Sequence, residues 1–172
     1  MARLLQIFTK CNYFVRPRKS AAKYHTKGEI YSSGTPYSAI THLRKIVEIA
    51  KINLKLIDPY SDMKAVYLIE NCNLGVNIQI LSTRKPNFRG IESLLLEARA
   101  YKAQYGHMEV KLEKSPGTWH DRFIIIDDDQ VYHLGASIKD IGKSATMIKE
   151  LQNPHGVIDR FNTTWDNALQ EV

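Results

Sequence analysis

The stretch that decides the fold is His120-Asp-Arg122-Phe-Ile-Ile-Ile-Asp127, followed by a short turn and by Gly135-Ala-Ser137. Phe123 to Ile126 is an unbroken run of apolar β-formers and reads as a buried strand. His120 and Arg122 are two residues apart, so an extended chain points both to one face. Asp127 has the opposite parity. It must sit at the strand end or at a bulge to join them. An imidazole beside a guanidinium suits phosphoryl chemistry, because the guanidinium forks onto phosphate oxygens while the ring serves as nucleophile or base.

Outward from this strand the chain alternates between helical and extended patterns. Pro36 follows Ser33 and Thr35, either of which can cap a helix carrying the stripe Ile40, Leu43, Ile46, Val47 and Ala50. Residues 52–57 read as a strand ending at Asp58-Pro59. A second helix starts at Ser61 and stops near 71–75. Residues 76–81 are the next strand, and 82–90 form a basic loop. A helix over 91–103 leads to a strand at 108–112. Residues 131–134 pair back on the motif strand through the turn at 128–130, and 155–170 form a last helix. Strands alternating with helices imply an α/β sandwich in which a mixed central sheet is flanked by helices. No internal repeat or low-complexity tract interrupts it.

Open α/β sheets bind ligands beyond their strand ends. Three loops are expected to converge there. Asp58 and Tyr60 follow the first strand, Thr83 and Arg84 follow the second, and Gly135 to Ser137 follow the post-motif strand, with Lys139 close behind. Each also has a plain structural reading as a turn cap, a half-buried ring or a solvated loop residue.

His120-x-Arg122-x4-Asp127 resembles the signature of the phospholipase D superfamily, His-x-Lys-x4-Asp followed by a Gly-Ser-x-Asn segment. Here Arg replaces Lys, and Gly135-Ala-Ser137 matches with one extra residue before the Ser. The Asn has no clear equivalent, and Lys139 and Asp140 occupy that neighbourhood. The wider run looks like a divergent, mostly bacterial branch. Its His-Asp-Arg start is similar to the phospholipase D-like C-terminal domain of microtubule-interacting-and-trafficking proteins, a membrane-binding group not thought to be catalytic. Two other partial matches fail. His25-x-Lys27 has Ser at position 32, and His42-x-Arg44 has Ile at position 49. Only one complete motif is present, and single-motif members usually pair as homodimers through the motif face.

The resemblance implies a metal-independent phosphodiesterase without a cofactor. His120 would be the nucleophile, or the acid in a partner subunit. Arg122 would bind phosphate, Asp127 would order the site and Ser137 would donate a hydrogen bond, with Lys139 standing in for the amine that Arg122 replaces. The alternative is a non-catalytic module of the same fold that binds nucleic acid or acidic phospholipid headgroups. The Asp127-Asp128-Asp129 run reads as a hairpin turn rather than a metal site.

Composition bears on the partner. The chain has 172 residues, enough for one domain with a sizeable core, and its 44% hydrophobic and 24% charged fractions are ordinary for a globular protein. Residues 1–34 hold seven Lys or Arg against a single acid, and the rest carries 17 of each sign, so the net charge of +6 sits on a basic N-terminal segment, with residues 35–172 as the phospholipase D-like domain. Phe8, Tyr13, Phe14, Tyr24 and Tyr31 interleave with these cations, a combination that suits a polyanion and favours nucleic acid over phospholipid. The same segment also reads as a solvated extension, or as an organelle transit peptide. Cys11 and Cys72 form no spacing pattern and read as free thiols in a reducing compartment, so the expected location is cytoplasmic. No apolar stretch approaches the 18 or so residues of a membrane span. The chain also fits one domain of a longer protein.

Overall fold

The computed structural model describes residues 28–85 and 88–172, so the charge block over residues 1–27 lies outside the described residues. Eight strands form one sheet: β1 (Glu29–Tyr31), β2 (Asn53–Ile57), β3 (Asn77–Ser82), β4 (Met108–Leu112), β5 (Arg122–Ile126), β6 (Gln130–Leu134), β7 (Thr146–Glu150) and β8 (Leu169–Gln170). Their spatial order is β1-β7-β6-β5-β2-β3-β4-β8. β2, β3 and β4 run parallel, joined by the helices α2 (Met63–Ile69) and α3 (Gly90–Tyr105), and the other pairings are antiparallel. The expected α/β sandwich with a mixed sheet is what forms.

Strand alternation divides the core in two. Ile124 and Ile126 of β5 face α1 (Pro36–Val47), α2 and α3, packing with Leu43, Ile46, Leu68 and Leu94. Phe123 and Ile125 face the opposite side and pack on Ile158, Phe161 and Trp165 of α4 (His155–Asn167). Both faces of β5 are therefore buried, which is why its sequence reads as continuous rather than alternating hydrophobics.

Several boundaries differ from the sequence reading. β1 lies inside the segment set off by charge and pairs with β7, so the sheet begins before residue 35. β7 alternates buried and exposed residues with Ile148 as its only buried aliphatic side chain, too weak a signal to read in isolation. α2 is capped by Asp62, which accepts from Lys64 N at 2.9 Å, and not by Ser61. Ser61 is buried and donates instead to the Asp58 carbonyl at 3.0 Å.

The β5–β6 turn is one residue earlier than its composition suggests. Asp129 N bonds to Ile126 O at 3.0 Å, leaving Asp127 and Asp128 as the central residues with φ of 51° and 55°. Both central residues take positive φ, as in the primed turns that suit β-hairpins, and the register pairs Ile126 with Gln130 across the loop. Asp127 does not join His120 and Arg122. Five residue steps along β5 separate it from Arg122, about 16 Å along a strand. Its carboxylate accepts from the amides of Lys51, Ile52 and Asn53 at 2.8 to 3.1 Å and so ties the turn to the start of β2. Partial burial pushes this carboxyl up, but the three amides outweigh it and hold the group below its ordinary range.

Asp127→Ala removes the acceptor of three amides and places a β-carbon residue other than Asp or Asn at positive φ. We expect a loss of about 2–3 kcal/mol in urea unfolding, with Asp127→Asn less affected. A lowered carboxyl contributes stability above its unfolded value, lost as pH falls through the folded one. The gap between wild type and Asp127→Asn should therefore narrow as the pH drops below about 4. A gap that widens in acid would contradict this assignment.

Candidate functional site

Asp58, one residue beyond β2, is the hub of the strand ends. It is fully buried, a rare state for a carboxylate without dedicated partners. One oxygen accepts from Ser137 Oγ at 2.7 Å and Ile138 N at 3.0 Å, and the other accepts from Tyr60 N at 2.9 Å. The Asp58 carbonyl takes Ser82 Oγ at 2.8 Å. One residue thus ties the loops after β2 and β6 to the last residue of β3. Burial pushes its carboxyl up, opposed by these hydrogen bonds and by the charge of Arg122.

The loop carrying Ser137 is held closely from below. Gly135 N donates to Met147 O at 2.9 Å, and a β-carbon at Gly135 would stand 2.8 Å from Thr146 Oγ1.

Arg122 opens β5 and shares the parity of Ile124 and Ile126, which turns it to the α1–α3 side. Its guanidinium carbon lies 5.5 Å from the centroid of the Tyr60 ring. Its Nε is buried without a hydrogen-bond partner, and no carboxylate of the described residues forms an ion pair with it. A sheltered guanidinium with an unspent donor is primed for an anion.

Two further cations surround it. Lys85 Nζ lies 5.0 Å from the Tyr60 centroid, and Lys139 Nζ lies 5.6 Å from that of Phe88. The Tyr60 and Phe88 rings meet edge to face with centroids 5.9 Å apart. Lys139 also bonds to Asp140 at its side, which offsets part of its charge. Asp58, Tyr60, Arg122, Ser137 and Lys139 therefore gather at one end of the sheet.

Other expected site residues do not join them. Thr83 is fully buried, and its hydroxyl is spent on Glu113 Oε2 at 2.7 Å. Arg84 is exposed and turned to Glu92 and Glu171, at 3.4 and 3.7 Å. His120 precedes the first residue of β5, so strand alternation does not reach it. It is exposed and lines a cleft of about 200 Å³ on the α4 side with Trp119, Phe123 and Arg160. The expectation that parity sets His120 and Arg122 on one face therefore fails, because the strand starts at Arg122.

Sequence reading missed Glu113 and Phe88, and placed Lys85 only as one of the cations of the loop after the second strand. Glu113 is buried and accepts from both Thr83 Oγ1 and Trp119 N, the latter at 3.0 Å, which anchors the backbone just ahead of His120. A single acid after a strand carries no local signal for such a role. Lys85 and Phe88 lie in the basic loop 82–90, where the excess of cations was the available clue.

No family model matches the chain, and no curated protein matches it. Solved structures do. A phospholipase D family member, Nuc from Salmonella typhimurium, is 16% identical with a TM-score of 0.61, covering 84% of this chain and 98% of that one. NucT from Helicobacter pylori is 15% identical with the same TM-score, over 84% of this chain and 98% of its own. TrmBL2, an archaeal chromatin protein described with a novel mode of DNA binding, is 14% identical with a TM-score of 0.56. That match covers 89% of this chain and 56% of TrmBL2, so the chain spans little more than half of that protein. At this identity the likeness concerns the fold, and the chain has the phospholipase D-like fold.

Proposed function

We propose that the protein binds the phosphodiester backbone of nucleic acid at the Arg122 end of the sheet. The carrying observation is the sheltered guanidinium of Arg122, with a buried donor unsatisfied and no carboxylate of the described residues ion-paired to it. Lys85 and Lys139 extend the positive surface beside two rings, a composition that suits phosphates with adjacent bases better than a bare headgroup. The similarity of fold to a DNA-binding chromatin protein fits the same reading. No helix of the described residues is long and apolar enough to cross a membrane.

The test is binding of a labelled single-stranded oligonucleotide across a salt series. The logarithm of the association constant should fall linearly with the logarithm of salt, with a slope of roughly −0.7 per phosphate neutralised. Binding that ignores salt, or none at all, would reject the proposal.

A second reading, cleavage, is favoured by His120. Its ring is exposed and makes no hydrogen bond among the described residues, as a free nucleophile requires. In this reading a ring nitrogen of His120 bonds to phosphorus, the P–O bond to the leaving alcohol breaks, and His120 of a second copy gives that oxygen its proton. Water then attacks the phosphohistidine and regenerates the ring. No metal enters these steps. Oligonucleotide cleavage in EDTA should vanish with His120→Ala, a loss on the order of a thousandfold or more for a covalent nucleophile. Equal cleavage by both proteins would remove His120 from the mechanism, and cleavage by neither leaves the binding function.

A further inference from the structure

On the α4 side His120 shares its cleft with one pre-positioned cation. Arg160 of α4 places its guanidinium carbon 4.6 Å from the centroid of Trp119, the buried residue next to His120. The same guanidinium donates one hydrogen bond to the Thr118 carbonyl. A ring contact and a carbonyl thus fix its position without using most of its five donors. No carboxylate of the described residues forms an ion pair with it. Asp121 also lines the cleft, but its carboxylate lies 3.5 Å from His133 Nε2, toward β6. Gly156 leaves the far wall open, with nothing within 4 Å of where its β-carbon would be.

We infer that Arg160, and not Arg122, is the cation that works with His120, and that the pair forms a second phosphate subsite on the α4 face. The inference rests on the reading of the protein as a phosphodiester binder. A guanidinium offers paired donors to two oxygens of a tetrahedral phosphate while the imidazole meets a third. Arg122 serves the opposite face, so one bound strand would cross the end of β5 and be held on both sides. The signature spacing, His-x-Arg, suggests a partnership within the motif. The partner in space is instead 40 residues further on, brought in by α4.

The experiment uses inorganic phosphate and reads the ring protons of His120 by NMR, identified by the signal missing from His120→Ala. In wild type and in Arg122→Ala the His120 signals should move saturably with phosphate. In Arg160→Gln, which keeps a donor for the Thr118 carbonyl, the apparent affinity at His120 should fall roughly tenfold. Arg160→Lys should fall between the two, because it keeps charge without the fork. Unchanged tryptophan fluorescence and circular dichroism would show the variants folded. The inference is overturned if His120 responds equally in Arg160→Gln, if the response is lost in Arg122→Ala instead, or if wild type shows none. An oligonucleotide titration of the same proteins separates the two readings. Lack of oligonucleotide binding alongside an Arg160-dependent phosphate response would reject the Arg122 proposal and leave this one standing.

Discussion

Asp58→Ala should be the most destabilising single change at the site, lowering unfolding free energy by about 3–4 kcal/mol. It leaves Ser137 Oγ, Ile138 N and Tyr60 N without their acceptor in a place that solvent does not reach. Each unsatisfied buried donor costs about 1–3 kcal/mol, with part recovered by relaxation of the loops. Asp58→Asn should be milder, since one amide oxygen can still accept.

The two substitutions also separate hydrogen bonding from charge. Burial raises the Asp58 carboxyl above its ordinary value near 3.8. For an acid raised in the folded state, the favourable contribution is complete below the unfolded value and is lost as pH rises through the folded one. Wild type should therefore lose ground to Asp58→Asn between pH 4 and neutrality. Urea midpoints measured at both ends of that range decide it. If wild type gains on the variant as pH rises, Arg122 and the hydrogen bonds outweigh burial, and the ionised carboxylate is the favoured form in the folded protein.

Arg122→Ala should weaken oligonucleotide binding at least tenfold, about 1.5–3 kcal/mol, because hydrogen bonds to charged groups are worth that much. The salt dependence should flatten by about 0.7 of a unit of slope, since one phosphate fewer is neutralised. Arg122→Lys is the informative companion. It keeps the charge, and so the slope, while giving up the bidentate fork and the guanidinium's contact with the Tyr60 ring. A fall in affinity with an unaltered slope would mark geometry as the contribution of the guanidinium. If Arg122→Ala binds like wild type, the unsatisfied Nε takes no phosphate and the cradle lies elsewhere.

These expectations draw on different depths of the sequence. The α/β sandwich was legible because both faces of β5 are buried, and Phe123-Ile-Ile-Ile126 leaves no other reading. The stripe of α1 and the strands β2, β3 and β4 were legible for the same reason, since local hydrophobic period reports which face meets the core. β1 and β7 were not: β1 is an edge strand with no fully buried side chain, and β7, between β1 and β6, buries only Thr146 and Ile148, so backbone pairing with neighbouring strands rather than a local apolar pattern places them.

The candidate site shows the same division. Asp58, Tyr60, Ser137 and Lys139 stand out in the sequence as residues at or just beyond strand ends and Arg122 as part of the motif, and the sheet order brings them together. Thr83 and Arg84 satisfied the same criterion, yet their side chains are spent on Glu113, Glu92 and Glu171. Asp127 kept the motif spacing and ended in a hairpin turn at the other end of the strand.

The layered α/β architecture, the strand that centres it and the single motif could all be read along the chain, because they depend on residues adjacent to one another. Which side chains share a site is a matter of packing in three dimensions. Asp58 meets Ser137 across 79 residues, and Arg160 reaches Trp119 from a helix 41 residues away. Such partners are set by strand order and helix packing, and these follow from the burial of the whole core rather than from any local spacing.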